Sequence, residues 1–203
     1  MKIIIAVTIA VLFISQNLFS QSIHSFGIKT GVTMSYNSID KLERKRYGMN
    51  ASLFYEYEVT KKFNFLTEAG YNQKGDRPAE IVMTNYEGGY SARYEYTSFD
   101  IATVSFGFKY YLSKTSTAPF VLAGSRVDVI LNKVSYSNLV SADMFSYNRI
   151  TFGITTGFGA EFNKVFSKTL IMELLYNPDL TDHYRDFYNV KNSSLEMKVG
   201  LKF

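Results

Sequence analysis

Apolar and polar positions alternate one by one along most of this chain. Successive side chains on a strand point to opposite faces, so the alternation predicts strands with one apolar and one polar face. The first runs over 26–36, with Phe26, Ile28, Val32, Met34 and Tyr36 opposite Gly27, Lys29, Gly31, Thr33 and Ser35. The second covers 47–59: Tyr47, Met49, Ala51, Leu53, Tyr55, Tyr57 and Val59 oppose Asn50, Ser52, Glu56 and Glu58, with Phe54 out of phase. The third, 63–74, sets Phe63, Phe65, Thr67, Ala69 and Tyr71 against Asn64, Glu68, Gly70, Asn72 and Lys74, with Leu66 out of phase. The fourth is long, 94–112, and its second half carries Val104, Phe106, Phe108, Tyr110 and Leu112 on one face. Its first half, around Phe99 and Ile101, falls in the opposite phase, which predicts a bulge near Asp100.

Three strands follow. Over 120–131, Val121, Ala123, Val127, Val129 and Leu131 oppose Gly124, Arg126 and Asp128. Over 150–162, Ile150, Phe152, Ile154, Phe158, Ala160 and Phe162 oppose a run of Thr, Gly and Glu161. Over 170–177, Leu170, Met172, Leu174 and Tyr176 oppose Glu173 and Asn177. The last ten residues alternate without a fault: Leu195, Met197, Val199, Leu201 and Phe203 against Ser194, Glu196, Lys198, Gly200 and Lys202.

The strands number eight, and their connections alternate in length at about ten, three, nineteen, six, sixteen, six and thirteen residues. Long loops on one side and short turns on the other are the arrangement of an outer-membrane barrel, and strands of about ten residues are long enough to cross. A soluble eight-stranded barrel has the opposite polarity, apolar within and polar without. Here the polar face carries Lys29, Glu56, Glu68, Lys109, Arg126, Asp128, Glu161, Glu173, Glu196 and Lys198, which a soluble core could not hold without heavy cost. The expected fold is all-β: an eight-stranded antiparallel transmembrane β-barrel in up-and-down order, with its apolar face to lipid.

Composition agrees. Aromatic residues make up 16% of the chain, 16 Tyr and 17 Phe with no Trp, enough for aromatic girdles. Mean hydropathy is −0.07, as an even apolar–polar alternation would average. Lys2 followed by the apolar run 3–14 and the polar-leaning 15–20 reads as a secretory signal peptide, residues 1–20, cut after Ser20. The barrel domain is then 21–203. No later apolar run is long enough for a helical span.

The chain has no cysteine, which excludes disulfides, thiolate catalysis and Cys-ligated metal. Its formal charge is +4, with acids and bases mixed along it, so no basic groove for nucleic acid is expected. The two histidines, His24 and His183, lack a nucleophile and a metal-binding context. No catalytic residue, cofactor site or metal site is expected. The candidate site is therefore the lumen, where Glu68, Lys109, Arg126, Asp128, Glu173, Glu196 and Lys198 converge from separate strands. An eight-stranded barrel is just wide enough for its own side chains, so these charges read as a salt-bridged plug. The alternative is a narrow conducting path. Tyrosines cluster beside the long loops: Tyr86, Tyr90, Tyr94 and Tyr96, then Tyr136 and Tyr147, then Tyr184 and Tyr188. They suit an upper aromatic girdle or a surface that binds a partner.

Several segments resemble a family. Glu68-Ala-Gly-Tyr-Asn-Gln-Lys-Gly75 is similar to the E-x-x-Y-x-x-K-G strand end of small outer-membrane barrels from Bacteroidetes. Phe99-Asp-Ile-Ala-Thr-Val, Ala118-Pro-Phe-Val-Leu-Ala-Gly124 and Met172-Glu-Leu-Leu-Tyr176 resemble three further strands of that family, with Ala102 where a proline often stands. It is the outer membrane protein β-barrel domain family, PorT-like. The resemblance implies an outer-membrane location and brings no functional residues. Resemblance to outer-membrane barrels further implies that Phe203 is a C-terminal assembly signal read during insertion. The expected partners are outer-membrane lipids and lipopolysaccharide, the barrel-assembly machinery, and a protein of the envelope or surface. The expected function is structural or surface interaction work: adhesion, envelope integrity, or membership of a larger envelope complex. A narrow porin-like channel is the alternative; a lipid-modifying enzyme using His183 and a soluble periplasmic ligand binder are two further readings.

Overall fold

Among the described residues nine strands pair antiparallel throughout and in chain order, and the sheet they form closes on itself. They are β1 (His24–Asn37), β2 (Arg46–Thr60), β3 (Phe63–Gly75), β4 (Ala79–Thr84), β5 (Tyr90–Tyr111), β6 (Thr117–Ser137), β7 (Ile150–Val165), β8 (Lys168–Pro178) and β9 (Asn192–Lys202). The computed structural model describes residues 24–37, 45–75, 79–84, 90–137, 147–165, 168–182 and 191–203. The leader at 1–20 and Tyr86, His183, Tyr184 and Tyr188 lie outside them.

Closure comes from two seams. β1 pairs with β9 from Gly27↔Lys202 to Asn37↔Asn192. β3 pairs directly with β5 from Phe63↔Tyr110 to Gly75↔Ser98. β4 therefore stands outside the ring, and the barrel itself has eight strands, all antiparallel, in up-and-down order. The outward face is apolar: Ile28, Val32, Leu53, Phe106, Phe108, Phe152, Phe158 and Met197 are all exposed, while the charged residues of the opposite phase are buried. Only lipid can cover such a face, so the polarity is that of a membrane barrel and a soluble ligand binder is overturned.

Three expectations are corrected. The stretch 75–93, expected to be an irregular loop, contains β4, whose Ala79–Thr84 pairs with Glu95–Tyr90 of β5. The stretch from 132, also expected to be loop, continues β6 to Ser137, paired with β5 up to Ser137↔Glu95. β4, β5 and β6 thus rise together past the barrel on the side of the long loops. A strand that runs clear of lipid need not carry the alternation by which strands were recognised.

The bulge expected near Asp100 is present, and the third correction concerns the strand that carries it. Asp100 pairs with Asn132 but Ile101 with Ile130, so the extra residue is Leu131 on β6, not a residue of β5. β5 keeps its register against β3 through Gln73↔Asp100 and Asn72↔Ile101. Phe99 and Ile101 do not turn outward; they stay in the lumen with Ile130 and form an apolar cluster under the long loops.

Candidate functional site

The interior is built in layers, each set by which inward positions the register brings level. Nearest the short turns, Lys109 of β5 reaches Glu56 Oε2 on β2 at 2.9 Å and Glu161 Oε1 on β7 at 3.0 Å. The Tyr111 hydroxyl lies between the same two acids, 2.6 Å from Glu56 Oε1 and 2.7 Å from Glu161 Oε1. Lys202 of β9 bonds Glu161 from the rim, and the Asn64 amide donates to Glu56. The Lys109 ammonium also sits 4.3 Å from the Phe120 ring centroid.

Phe120 belongs to an apolar cluster with Phe54, Leu66, Tyr111, Leu122, Ile171 and Leu175. Phe54 and Leu66, the two residues out of phase in the sequence, are this cluster's anchors, each 3% exposed. They break the pattern because they fill the lumen instead of facing lipid.

In the middle, Lys29 of β1 bridges Glu68 Oε2 and Glu173 Oε2, each at 2.9 Å. Lys198 of β9 bonds Glu68 Oε1 at 2.6 Å and Glu196 Oε2 at 3.2 Å. Toward the long loops, Asn72 donates to Glu196 Oε1 at 2.6 Å, Thr33 to Asn72, and Asn50 to Thr33. Lys74 reaches Asp128 Oδ2 at 2.7 Å, Thr103 donates to Asp128 Oδ1 at 2.7 Å, and Arg126 contacts both Asp128 and Asp179.

The structure thus joins Glu68, Glu173, Glu196 and Lys198 in one cluster through Lys29, and joins Arg126 with Asp128 in a second. Lys109 lies apart, in the layer near the short turns. Sequence reasoning placed Lys29, Glu56, Lys74, Glu161 and Lys202 on the polar face without giving them a part in the network, and did not single out Asp179 as a site residue. Their signal was phase alone: each falls on the polar face of its strand, opposite the apolar alternation. Asp179 continues the parity of Glu173 and Asn177 one step beyond β8, at a bridge to Gly153.

Cations Lys29, Lys74, Lys109, Arg126, Lys198 and Lys202 nearly balance carboxylates Glu56, Glu68, Asp128, Glu161, Glu173, Asp179 and Glu196. Charges removed from water this completely persist only when paired and hydrogen-bonded. A cavity of about 30 Å³ lies beside Glu68, Asn72, Arg126, Asn177 and Glu196. That is room for about one water molecule, not a file of them. Inward glycines make the fit: a Cβ on Gly159 would lie 2.6 Å from Phe120 Cζ and 2.3 Å from the Met172 carbonyl oxygen.

Phe203 follows β9 at the short-turn rim. Its backbone N–H donates to the Phe26 carbonyl at 2.8 Å, and its ring sits 5.8 Å from that of Phe26. Tyr147 packs against Phe99 at 6.4 Å between ring centroids, with Lys133 above its ring. Among the described residues no group of His, Asp and Glu is arranged to hold a metal ion.

Comparison with known proteins gives the same architecture. The family model for the outer membrane protein beta-barrel domain matches residues 19–185. Neisserial surface protein A superposes with a TM-score of 0.53 at 14% identity, over 90% of this chain and 98% of that one. OprG from Pseudomonas aeruginosa gives 0.50 at 12% identity, over 88% and 95%. A major outer membrane protein from Thermus thermophilus gives 0.50 at 10% identity, over 89% and 99%. At these identities the likeness is one of fold. No curated protein matches the sequence.

Proposed function

This chain belongs to the outer membrane protein beta-barrel domain family, and from that premise we propose that it works through its outer surface and not through its lumen. It is a β-barrel of the outer membrane. The reading is a structural or surface-interaction role: adhesion, envelope integrity, or docking to a larger envelope complex. The observation that carries it is the ribbon of β4, β5 and β6, which extends past the barrel on the long-loop side. A paired ribbon presents a defined surface on that side. Tyr90, Tyr94, Tyr96 and Tyr136 fall within its strands.

We read the chain as non-enzymatic, its lumen charges serving to pack and brace the wall. The finer likeness to Bacteroidetes PorT-like barrels rests on the strand segments quoted above and adds no activity. Partners on this reading are membrane lipids and lipopolysaccharide, the assembly machinery through Phe203, and one protein of the envelope or surface.

The test is to remove 77–96, joining the strands across a two-residue turn, which leaves the β3–β5 barrel pairing from Gly75↔Ser98 downward intact. The shortened chain should keep the mobility difference between heated and unheated samples that marks a folded barrel. It should lose attachment to surfaces, or an envelope partner recovered by cross-linking. Unchanged attachment, cross-linking and envelope integrity would overturn the reading. The full-length protein in planar bilayers should give no steady conductance, and regular open-channel steps would restore the narrow channel.

A further inference from the structure

A barrel wall facing lipid is ordinarily convex, yet this one carries an apolar groove of about 740 Å³ running across β8, β9, β1, β2 and β3. Its floor is made of small outward residues, Thr30, Ala51 and Ala69, and its walls include Leu53, Leu170 and Leu201. A volume of that order is the size of a ligand site, not of a packing defect. The Thr30 hydroxyl donates to the Asn50 carbonyl at 3.0 Å, so its proton is already committed within the sheet. What fills the groove must be apolar along its length.

The position of the groove narrows the occupant. It runs from Leu170 and Leu201, near the short turns that face the periplasm in barrels of this kind, up to mid-wall at Thr30, Leu53 and Ala69. Directly beneath it, two residues below Leu170 and Ile28, are Lys168 and Phe26. The Lys168 ammonium sits 4.7 Å from the Phe203 ring centroid, held at the edge of the hydrocarbon layer. Lys61, Lys62, Lys114 and Lys168 are all exposed along this rim. The acidic side chain that reaches solvent there among the described residues is Glu58, which is paired with Lys114 at 3.0 Å. Lys61, Lys62 and Lys168 thus give the rim an excess of positive charge below an apolar furrow.

We infer that this groove is a binding site for an anionic glycerophospholipid of the periplasmic leaflet, its acyl chains lying over Thr30, Ala51 and Ala69 and its phosphate against Lys168. The site is independent of the surface role proposed above and would stand if that role failed. Ordinary solvating lipid exchanges freely over a convex wall; a chain seated in a furrow with its headgroup held by a lysine does not.

The experiment is native mass spectrometry of the full-length barrel in detergent, with phosphatidylglycerol or phosphatidylethanolamine added. The wild type should retain one phosphatidylglycerol at collision energies that strip phosphatidylethanolamine. Ala51→Phe and Ala69→Phe, made singly and together, fill the groove from the lipid side and should abolish retention. Lys168→Gln should leave the groove open and cut the preference for the anionic lipid by about fivefold. The heat-dependent gel shift verifies that each variant is folded, and Lys168→Gln, on an exposed side chain, tests the site even if a groove-filling variant fails to fold. Three results would overturn the site: retention unchanged when the groove is filled, equal retention of the two lipids, or a dimer that the filling substitutions break apart, which would make a second copy the occupant.

Discussion

Replacing Lys109 with methionine removes the cation on which the layer near the short turns is built. Lys109 is fully buried and bonds Glu56 at 2.9 Å and Glu161 at 3.0 Å. Methionine keeps most of the volume and the contact with Phe120, so the loss is chiefly electrostatic. Removing one partner of a buried ion pair costs about 3–5 kcal/mol, because the charge left behind has neither water nor a counter-ion. Two carboxylates are left here, which argues for the top of that range. Lys202 still bonds Glu161, however, and Tyr111 still reaches both acids, which argues for the bottom. The expected loss is about 3 kcal/mol, or roughly a hundredfold in the folding equilibrium. The measurement is reversible urea unfolding in lipid vesicles, followed by tyrosine fluorescence and by the gel shift. Lys114→Ala is the internal control: its pair with Glu58 spans 3.0 Å but both side chains are about one-third exposed. Such a pair is worth less than about 1 kcal/mol. Adding Glu161→Gln to Lys109→Met should recover about 1–2 kcal/mol by removing one of the stranded charges. If Lys109→Met costs no more than Lys114→Ala, water reaches the layer and the plug described above does not exist.

Three further outcomes follow from the same geometry. Gly159→Ala forces a methyl against Phe120 and the Met172 carbonyl, and should cost about 1–3 kcal/mol in the same unfolding assay. Phe106→Arg places a charge on the lipid-facing wall near mid-span and should cost about 2–4 kcal/mol, whereas the same change at a rim position such as Tyr47 should cost no more than about 1. Deleting Phe203 removes its backbone bond to Phe26 and the ring contact beside it. The truncated chain should reach the outer membrane at reduced level, measured by fractionation and the gel shift, and normal levels would remove its role as an assembly signal.

The wall was legible in the sequence because lipid imposes a rule on every second residue of every crossing strand. That rule has no hold above the membrane, which is why β4 and the upper part of β6 read as loop. Phe54, Leu66, Phe99 and Ile101 show the other failure. They obey the strand period but are apolar on the inward face, so alternation alone reads them as faults or as a bulge. The structure makes Phe54 and Leu66 part of an apolar layer between the Lys109 layer and the middle cluster, and Phe99 and Ile101 part of one under the long loops. The inward charges could be assigned to the lumen by parity, but their pairings could not. Lys198 and Glu68 are separated by 130 positions in the chain. They meet because shear and curvature bring β9 and β3 to one level, and neither quantity is written in a local pattern.

The seam between β1 and β9 has a consequence for how the protein comes into being. Gly27 pairs with Lys202, a separation of 202 − 27 = 175 residues in a chain of 203. Every other pairing of the barrel joins strands close in sequence, so this one seam carries the long-range loop closure, and its entropic cost is met only at the end. The first strand to leave the ribosome cannot find its second neighbour until the last has been made. Throughout that interval both β1 and the newest strand are bare edges, each able to pair with another unfinished chain. Translation and closure are thus separate events, and a chain of this design needs to be held apart from its copies until the final strand arrives.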